Sequence, residues 1–345
     1  MPVQYEPFNT SLDVTTTKTL LHEVIPITGS IVSGTYADGN IKNYSHGMFQ
    51  SVYDYPYLSS SANHIFDLTV AYSEGSVLAS TSNIQNTKKK NLYNQYSQVL
   101  LGYTGSATAG VRKFEKDLTN DGNGAMNEVF FINFSRLITK DQIKKGSFAL
   151  SLGTGSVYAD AFNDDDLVLQ DALATERTGY QTEQGGDYAL LYTSSTATST
   201  SEAVGNIFYQ AGIAVVTASV FGSSVLVDSS GHNIVGVLTG SAISGACDAI
   251  RHRINNISFN NTTEINSKIY FCRVPHNKFN YSANPTYLSG AQIRVKDVAT
   301  DTPVAYITTI GLYSETGDLL ATAKLSEPLR KDPTNELTLR VRLDY

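Results

Sequence analysis

Residues 337–344 read Leu-Thr-Leu-Arg-Val-Arg-Leu-Asp, and their alternation decides the class of fold to expect. Leu337, Leu339, Val341 and Leu343 fall on one side of an extended chain; Thr338, Arg340, Arg342 and Asp344 fall on the other. A period of two belongs to a strand with one face on a core and the other facing solvent or a partner. The same period recurs upstream. Phe66, Leu68, Val70 and Tyr72 share a face in HIFDLTVAY (64–72). Phe148, Leu150 and Leu152 do so in SFALSL, and Tyr188, Leu190 and Tyr192 in GDYALLY.

Helical spacing marks three other stretches. One stripe comprises Leu92, Tyr93, Tyr96, Val99, Leu100 and Tyr103, after the basic run Lys88–Lys90. A second comprises Phe130, Phe131, Phe134, Leu137 and Ile138; a third comprises Ile243, Cys247, Ile250 and Ile254. Strands flank these helices without alternating regularly with them, which predicts an α+β, β-rich fold of antiparallel, sandwich-like sheets with a few amphipathic helices. Residues 153–187, with the acidic cluster Asp164–Asp166 and the flexible Gln-Gly-Gly at 184–186, read as a loop. So does TSSTATSTS (193–201). A boundary near residue 200 would divide the chain into an α+β region over 1–200 and a second over 201–345 ending in a β-meander.

Composition narrows the function classes. The chain has 345 residues, 25 Lys and Arg against 32 Asp and Glu, and 17% charged residues, where an average soluble domain has roughly 25%. A net charge of −7 with no basic block predicts no nucleic-acid partner, because such binding begins with phosphate neutralisation. With 21 tyrosines and 14 phenylalanines the chain is too aromatic for disorder. The N-terminal MPVQYEPFNTSLDVTTTK has neither the basic nor the apolar segment of a signal peptide. Ala211–Val227 is short of the ~20 apolar residues that span a bilayer and is diluted by Ser, Thr and Gly, so it predicts buried structure and no membrane span. Cys247 and Cys272 lie outside any C-x-x-C and are expected as thiols, not a disulfide.

No enzymatic constellation emerges. The six histidines are scattered, and there is no G-x-S-x-G elbow, Walker loop or G-x-G-x-x-G. GYTGSATAG and GTGSVYAD lack the lysine of a phosphate cradle. Asp164–Asp166 read as a solvated acidic loop, not as the paired carboxylates of a glycosidase. No catalytic residue and no cofactor are expected. The strongest motif runs from Asp117 to Glu128, DLTNDGNGAMNE, with Asp117, Asp121, Gly122 and Glu128 at positions one, five, six and twelve of an EF-hand-like loop. Thr119 at position three and Gly124 at position eight depart from that pattern, so Asp117, Asp121 and Glu128 form a weak calcium candidate beside the plain alternative of a polar loop. Tyr44, Tyr53, Tyr55 and Tyr57 read equally as an interface patch or as the edge of a β core.

The stretch PVAYITTIGLY (303–313), SETGDLL (314–320) and ATAKLSEPLRKDPTNELTLRVRLDY resembles the closing segments of tail-fibre and baseplate proteins of tailed bacteriophages. FFINFSRLITKDQIKKGSF, ending at Phe148, and IYFCRVPHNKFNYSANPTYLSG (269–290) resemble phage virion proteins of unassigned role. The resemblance implies a structural protein of the virion, in the tail, baseplate or tail–fibre attachment region. Such a protein assembles in the host cytoplasm, with other virion proteins and copies of itself as partners. Neck, collar or capsid decoration, and receptor or glycan adhesion, are the alternative expectations. Leu337, Leu339, Arg340, Val341, Arg342 and Leu343 are the interface candidates on the last strand, with Arg340 and Arg342 projecting together from one face.

Overall fold

The computed structural model describes residues 5–344 apart from 31–37, 81, 83–84, 104–109, 139–140, 163–165, 177, 194–202, 226, 283–285, 290–291, 294–297 and 299. The segment 194–201 of TSSTATSTS, most of GYTGSATAG, Asp164 and Asp165 lie outside the described residues. In chain order the strands are β1 (Val14–Ser30), β2 (Ile41–Asn43), β3 (Gln50–Tyr53), β4 (His64–Tyr72), β5 (Glu128–Asn133) and β6 (Gln142–Ile143). There follow β7 (Ala149–Gly153), β8 (Asp166–Gln170), β9 (Tyr180–Glu183), β10 (Gly186–Tyr192), β11 (Ala203–Phe208) and β12 (Ile213–Thr217). The remainder are β13 (Ile254–Val274), β14 (Leu288–Ser289), β15 (Gln292–Ile293), β16 (Ala305–Tyr313), β17 (Leu319–Lys331) and β18 (Leu337–Asp344). Among the described residues the α-helices are α1 (Asn86–Leu100), α2 (Ile234–Leu238) and α3 (Ile243–His252), with short 3-10 turns besides. With 41% strand against 15% helix, the fold is β-rich α+β.

The chain forms two compact units, one of Leu20–Glu264 and one that joins Met1–Thr19 to Ile265–Tyr345. The division therefore falls within β1 and β13. Residue 200, the boundary expected from the sequence, lies in the connection between β10 and β11, which pair antiparallel as neighbours in one sheet.

In the larger unit the strand order is β7-β8-β10-β11-β12-β5-β4-β3-β2, with the first part of β13 beyond β7. Its central strands are buried on both faces: β12 throughout, and β5 from Val129 to Ile132. A strand enclosed on both sides needs apolar residues in succession, not in alternation. That overturns the helix expected from Phe130, Phe131, Phe134, Leu137 and Ile138. Phe130 and Phe131 point to opposite faces of β5: Phe130 lies 6.1 Å from the ring of Phe221, and Phe131 stacks on Tyr96 of α1 at 4.1 Å. Only Ser135–Leu137 form a helical turn, of the 3-10 type.

α1 and α3 form where expected, except that Ile254 of the third stripe lies beyond α3 and begins β13, and both helices pack on β4. On α1, Leu92, Tyr93 and Leu100 are buried, whereas Val99 is 64% exposed. Tyr103 follows the helix, beyond Gly102 at φ 83°. On α3, the Cys247 thiol donates to the Leu68 carbonyl at 3.3 Å. Both cysteines are free. Within Ala211–Val227, β12 and the core residues Phe221, Val225 and Val227 are buried as expected, while Ser219 and Gly222–Ser224 are exposed. The stretch 153–187, expected as a loop, contains β8 and β9. Gln-Gly-Gly at 184–186 forms the tight turn of the β9–β10 hairpin, in which Glu183 faces Gly186. Among the described residues, no helix is long and apolar enough to cross a membrane.

In the smaller unit β18 pairs along its whole length with β13, from Val274↔Leu337 to Ser267↔Asp344. On the other edge of β13, the Phe271 amide donates to the Asp13 carbonyl at 2.8 Å. β16 and β17 form a separate two-stranded ribbon. The expected closing meander is thus broken: β17 pairs with β16, and β18 joins β13 in place of β17.

Candidate interaction surface

β18 keeps the alternation that its sequence dictates. Val341 is buried opposite Tyr270, Leu337, Leu339 and Leu343 are half-buried, and the intervening residues are exposed. Arg340 and Arg342 do not act as a matched pair. Arg342 donates from Nε to Asp344 Oδ1 at 2.7 Å and from Nη2 to Ser267 Oγ at 2.9 Å, whereas Arg340 is exposed opposite Phe271. The carboxyl of Asp344 sits below its usual range because the Ser267 hydroxyl and the Arg342 guanidinium donate to it. Among the described residues β18 has one strand partner, so its second edge is unpaired. Leu337 and Thr338 border an open groove of about 650 Å³, which Glu6, Arg273 and Glu336 line with charge. Arg273 is held there by Asp13 at 2.6 Å, and Glu336 by His276 at 2.9 Å.

The β16–β17 ribbon is largely exposed. Tyr306 is 56% exposed and Leu320 69%, and Tyr313 and Leu319 are exposed beside them. An isolated two-stranded ribbon is marginally stable in water, so uncovered apolar residues along its length invite a partner. Its base is fixed. Lys331 is buried and donates to the carbonyls of His276 and Asp332 and to Asn280 Oδ1, at 3.2, 2.8 and 2.6 Å.

The four candidate tyrosines Tyr44, Tyr53, Tyr55 and Tyr57, all in the larger unit, divide. Tyr44 is half-buried, bonds Ser51 and stacks parallel to His46 at 5.3 Å. Tyr53 meets His64 edge-on at 5.3 Å. Tyr55, 57% exposed, and Tyr57 lie beside the exposed Leu58 in the turn between β3 and β4. Tyr44 follows β2 and Tyr53 ends β3 at one margin of the sheet, where both pack along the edge, while Tyr55 and Tyr57 beyond β3 are exposed.

The EF-hand expectation is corrected. Neither flank of the 117–128 loop is helical: Glu128 begins β5, and the segment before Asp117 is extended. Asp117 and Asp121 do converge, but with Glu115 and not Glu128. The Glu128 carboxylate accepts a hydrogen bond from Ser76 Oγ instead.

Sequence reasoning missed the buried charge. Lys145 Nζ lies 3.0 Å from Asp187 Oδ2 and 3.2 Å from Glu264 Oε2, over the rings of Tyr180 and Tyr209 at 4.9 and 5.4 Å. The Tyr209 hydroxyl donates to Asp171 Oδ2 at 2.7 Å, and the amides of Gly146 and Phe148 donate to the same carboxylate. Burial pushes the Asp171 carboxyl up to about 6, against these hydrogen bonds. The fully buried Lys89 donates to the carbonyls of Leu238 and Gly240 where α2 ends, and burial brings its amine down to about 8. Residues far apart in sequence build both clusters, and no local spacing announces them.

No protein-family model matches the chain, and neither a curated protein nor a solved structure is detectably similar to it.

Proposed function

We propose that the chain is a structural component of a tailed-phage virion, in the baseplate or the tail–fibre attachment region, acting by protein–protein assembly. The observation that carries this reading is the exposed β16–β17 ribbon, whose Tyr306, Tyr313, Leu319 and Leu320 are uncovered in the isolated chain. The ribbon occupies the stretch of sequence that resembles tail-fibre and baseplate proteins. Beside it in sequence, the unpaired edge of β18 offers backbone groups to a strand from another chain, with side chains alternating at each step. Tyrosine and leucine on a ribbon of low charge suit the desolvated centre of an interface.

Cross-linking mass spectrometry on purified particles tests the proposal. The expected result joins Lys324 of β17 to a second virion protein or to another copy of this chain. Absence of the chain from purified particles, or a Lys324 that reacts equally with a soluble reagent in particles and in isolated protein, overturns it.

A further inference from the structure

The acidic loop of the larger unit offers a site that the assembly role does not use. Residues 114–116 and 124–126 pair as a short ladder, with Lys116 N to Gly124 O at 3.0 Å and Met126 N to Phe114 O at 2.7 Å. That ladder closes the loop 117–123. Within the loop and its base, Asn120, Gly122 and Gly124 take left-handed conformations at φ 53°, 93° and 65°. One carboxylate oxygen each from Glu115, Asp117 and Asp121 then lies within 4.8 Å of the others. Oxygens bound to a single calcium ion at 2.3–2.6 Å are at most about 5 Å apart, so this spacing fits a common ion.

A second observation separates this cluster from an ordinary acidic turn. Glu115 is only 4% exposed. Its carboxylate is turned into the loop, where Oε1 accepts the Gly122 amide at 2.9 Å. Its Oε2 is buried and has no hydrogen-bond partner among the described residues. A buried, unpartnered carboxylate oxygen costs free energy unless a proton or a cation meets it. A cation held between the three carboxylates meets that oxygen and offsets their mutual repulsion.

We infer that Glu115, Asp117 and Asp121 bind a divalent cation of the calcium class. The donors are all oxygen, which excludes the soft-ligand preference of zinc or copper sites. Three carboxylates on an irregular loop suit calcium, which accepts six to eight oxygens in flexible geometry, better than magnesium with its strict octahedron. Asp117 and Asp121 hold their places through bonds to the next turn: Asp117 Oδ1 accepts the Thr119 amide and hydroxyl, and Asp121 Oδ1 accepts the Asn123 amide. Water completes the shell on the exposed side.

The test is calorimetric titration of calcium chloride into the full chain after chelator treatment. Saturable heat at about one ion per chain is expected, with Kd between about 10⁻⁵ and 10⁻³ M, together with a higher Tm in calcium than in chelator. Asp121 is exposed, so Asp121→Asn keeps the fold and weakens binding at least tenfold, and the Tm difference closes. No saturable heat in the millimolar range, or equal affinity in wild type and Asp121→Asn, overturns the assignment. Magnesium in a parallel titration is expected to bind at least tenfold more weakly; equal or tighter binding overturns the calcium class.

Discussion

At the scale of single residues, the buried charge of Lys145 is answered on two sides. Lys145 stands between Asp187 and Glu264, with the Asp187 side chain only 2% exposed. Removing one partner of a buried ion pair leaves the other charge uncompensated, at a cost of about 3–5 kcal/mol. Lys145→Met is therefore expected to lower unfolding stability by about 3 kcal/mol or more in a urea titration, although methionine fills most of the same volume. Asp171 gives a pH signature of opposite sign to the usual acid denaturation. Its carboxyl holds a proton up to about pH 6 when folded, against 3.8 for the free group. Between these values the folded state binds more protons, so this residue's contribution to stability declines as pH rises from 4 to 6, by roughly 3 kcal/mol in total. Subtracting the pH–stability curve of Asp171→Asn from that of wild type should isolate this decline.

At the scale of elements, turns and edges decide the outcome. Gly186 closes the β9–β10 hairpin at φ 97°, and a Cβ there would meet the Gln210 side chain at 2.1 Å. Gly186→Ala should lower the Tm and cost about 1–2 kcal/mol. The ribbon behaves differently, because its apolar residues are already in water. Tyr306→Ser with Leu320→Ser should change stability of the isolated chain by less than about 0.5 kcal/mol while reducing incorporation into particles. Deletion of residues 337–345 removes β18 and should leave chain that does not incorporate at all. What the sequence disclosed at this scale follows a physical line. Strands with one wet face, such as β18, announce themselves by alternation. Strands with two dry faces, such as β5, do not, and Phe130 with Phe131 imitate a helix. α1 and α3 were legible because each has one buried stripe, while the five-residue α2 is too short to display a period. In the acidic loop, Asp117 and Asp121 were legible by spacing; Glu115 was not, because it joins them across a ladder and not along a motif.

At the scale of the whole molecule, the division into units could not be read locally. Composition suggested a break near residue 200, where Ser and Thr accumulate, yet strands pair across that point. The actual division depends on which distant segments meet, and the smaller unit draws on both Met1–Thr19 and Ile265–Tyr345. This interrupted construction bears on the order in which the protein comes into being. A ribosome must complete Leu20–Glu264 before the second part of the smaller unit exists at all. Tethering two segments across a flexible loop of that length costs about 5 kcal/mol of closure entropy, and prior folding of the intervening unit removes most of it. The β16–β17 ribbon and β18 all follow Glu264 in the chain, so a larger unit that folds as it is made does so before either of them exists.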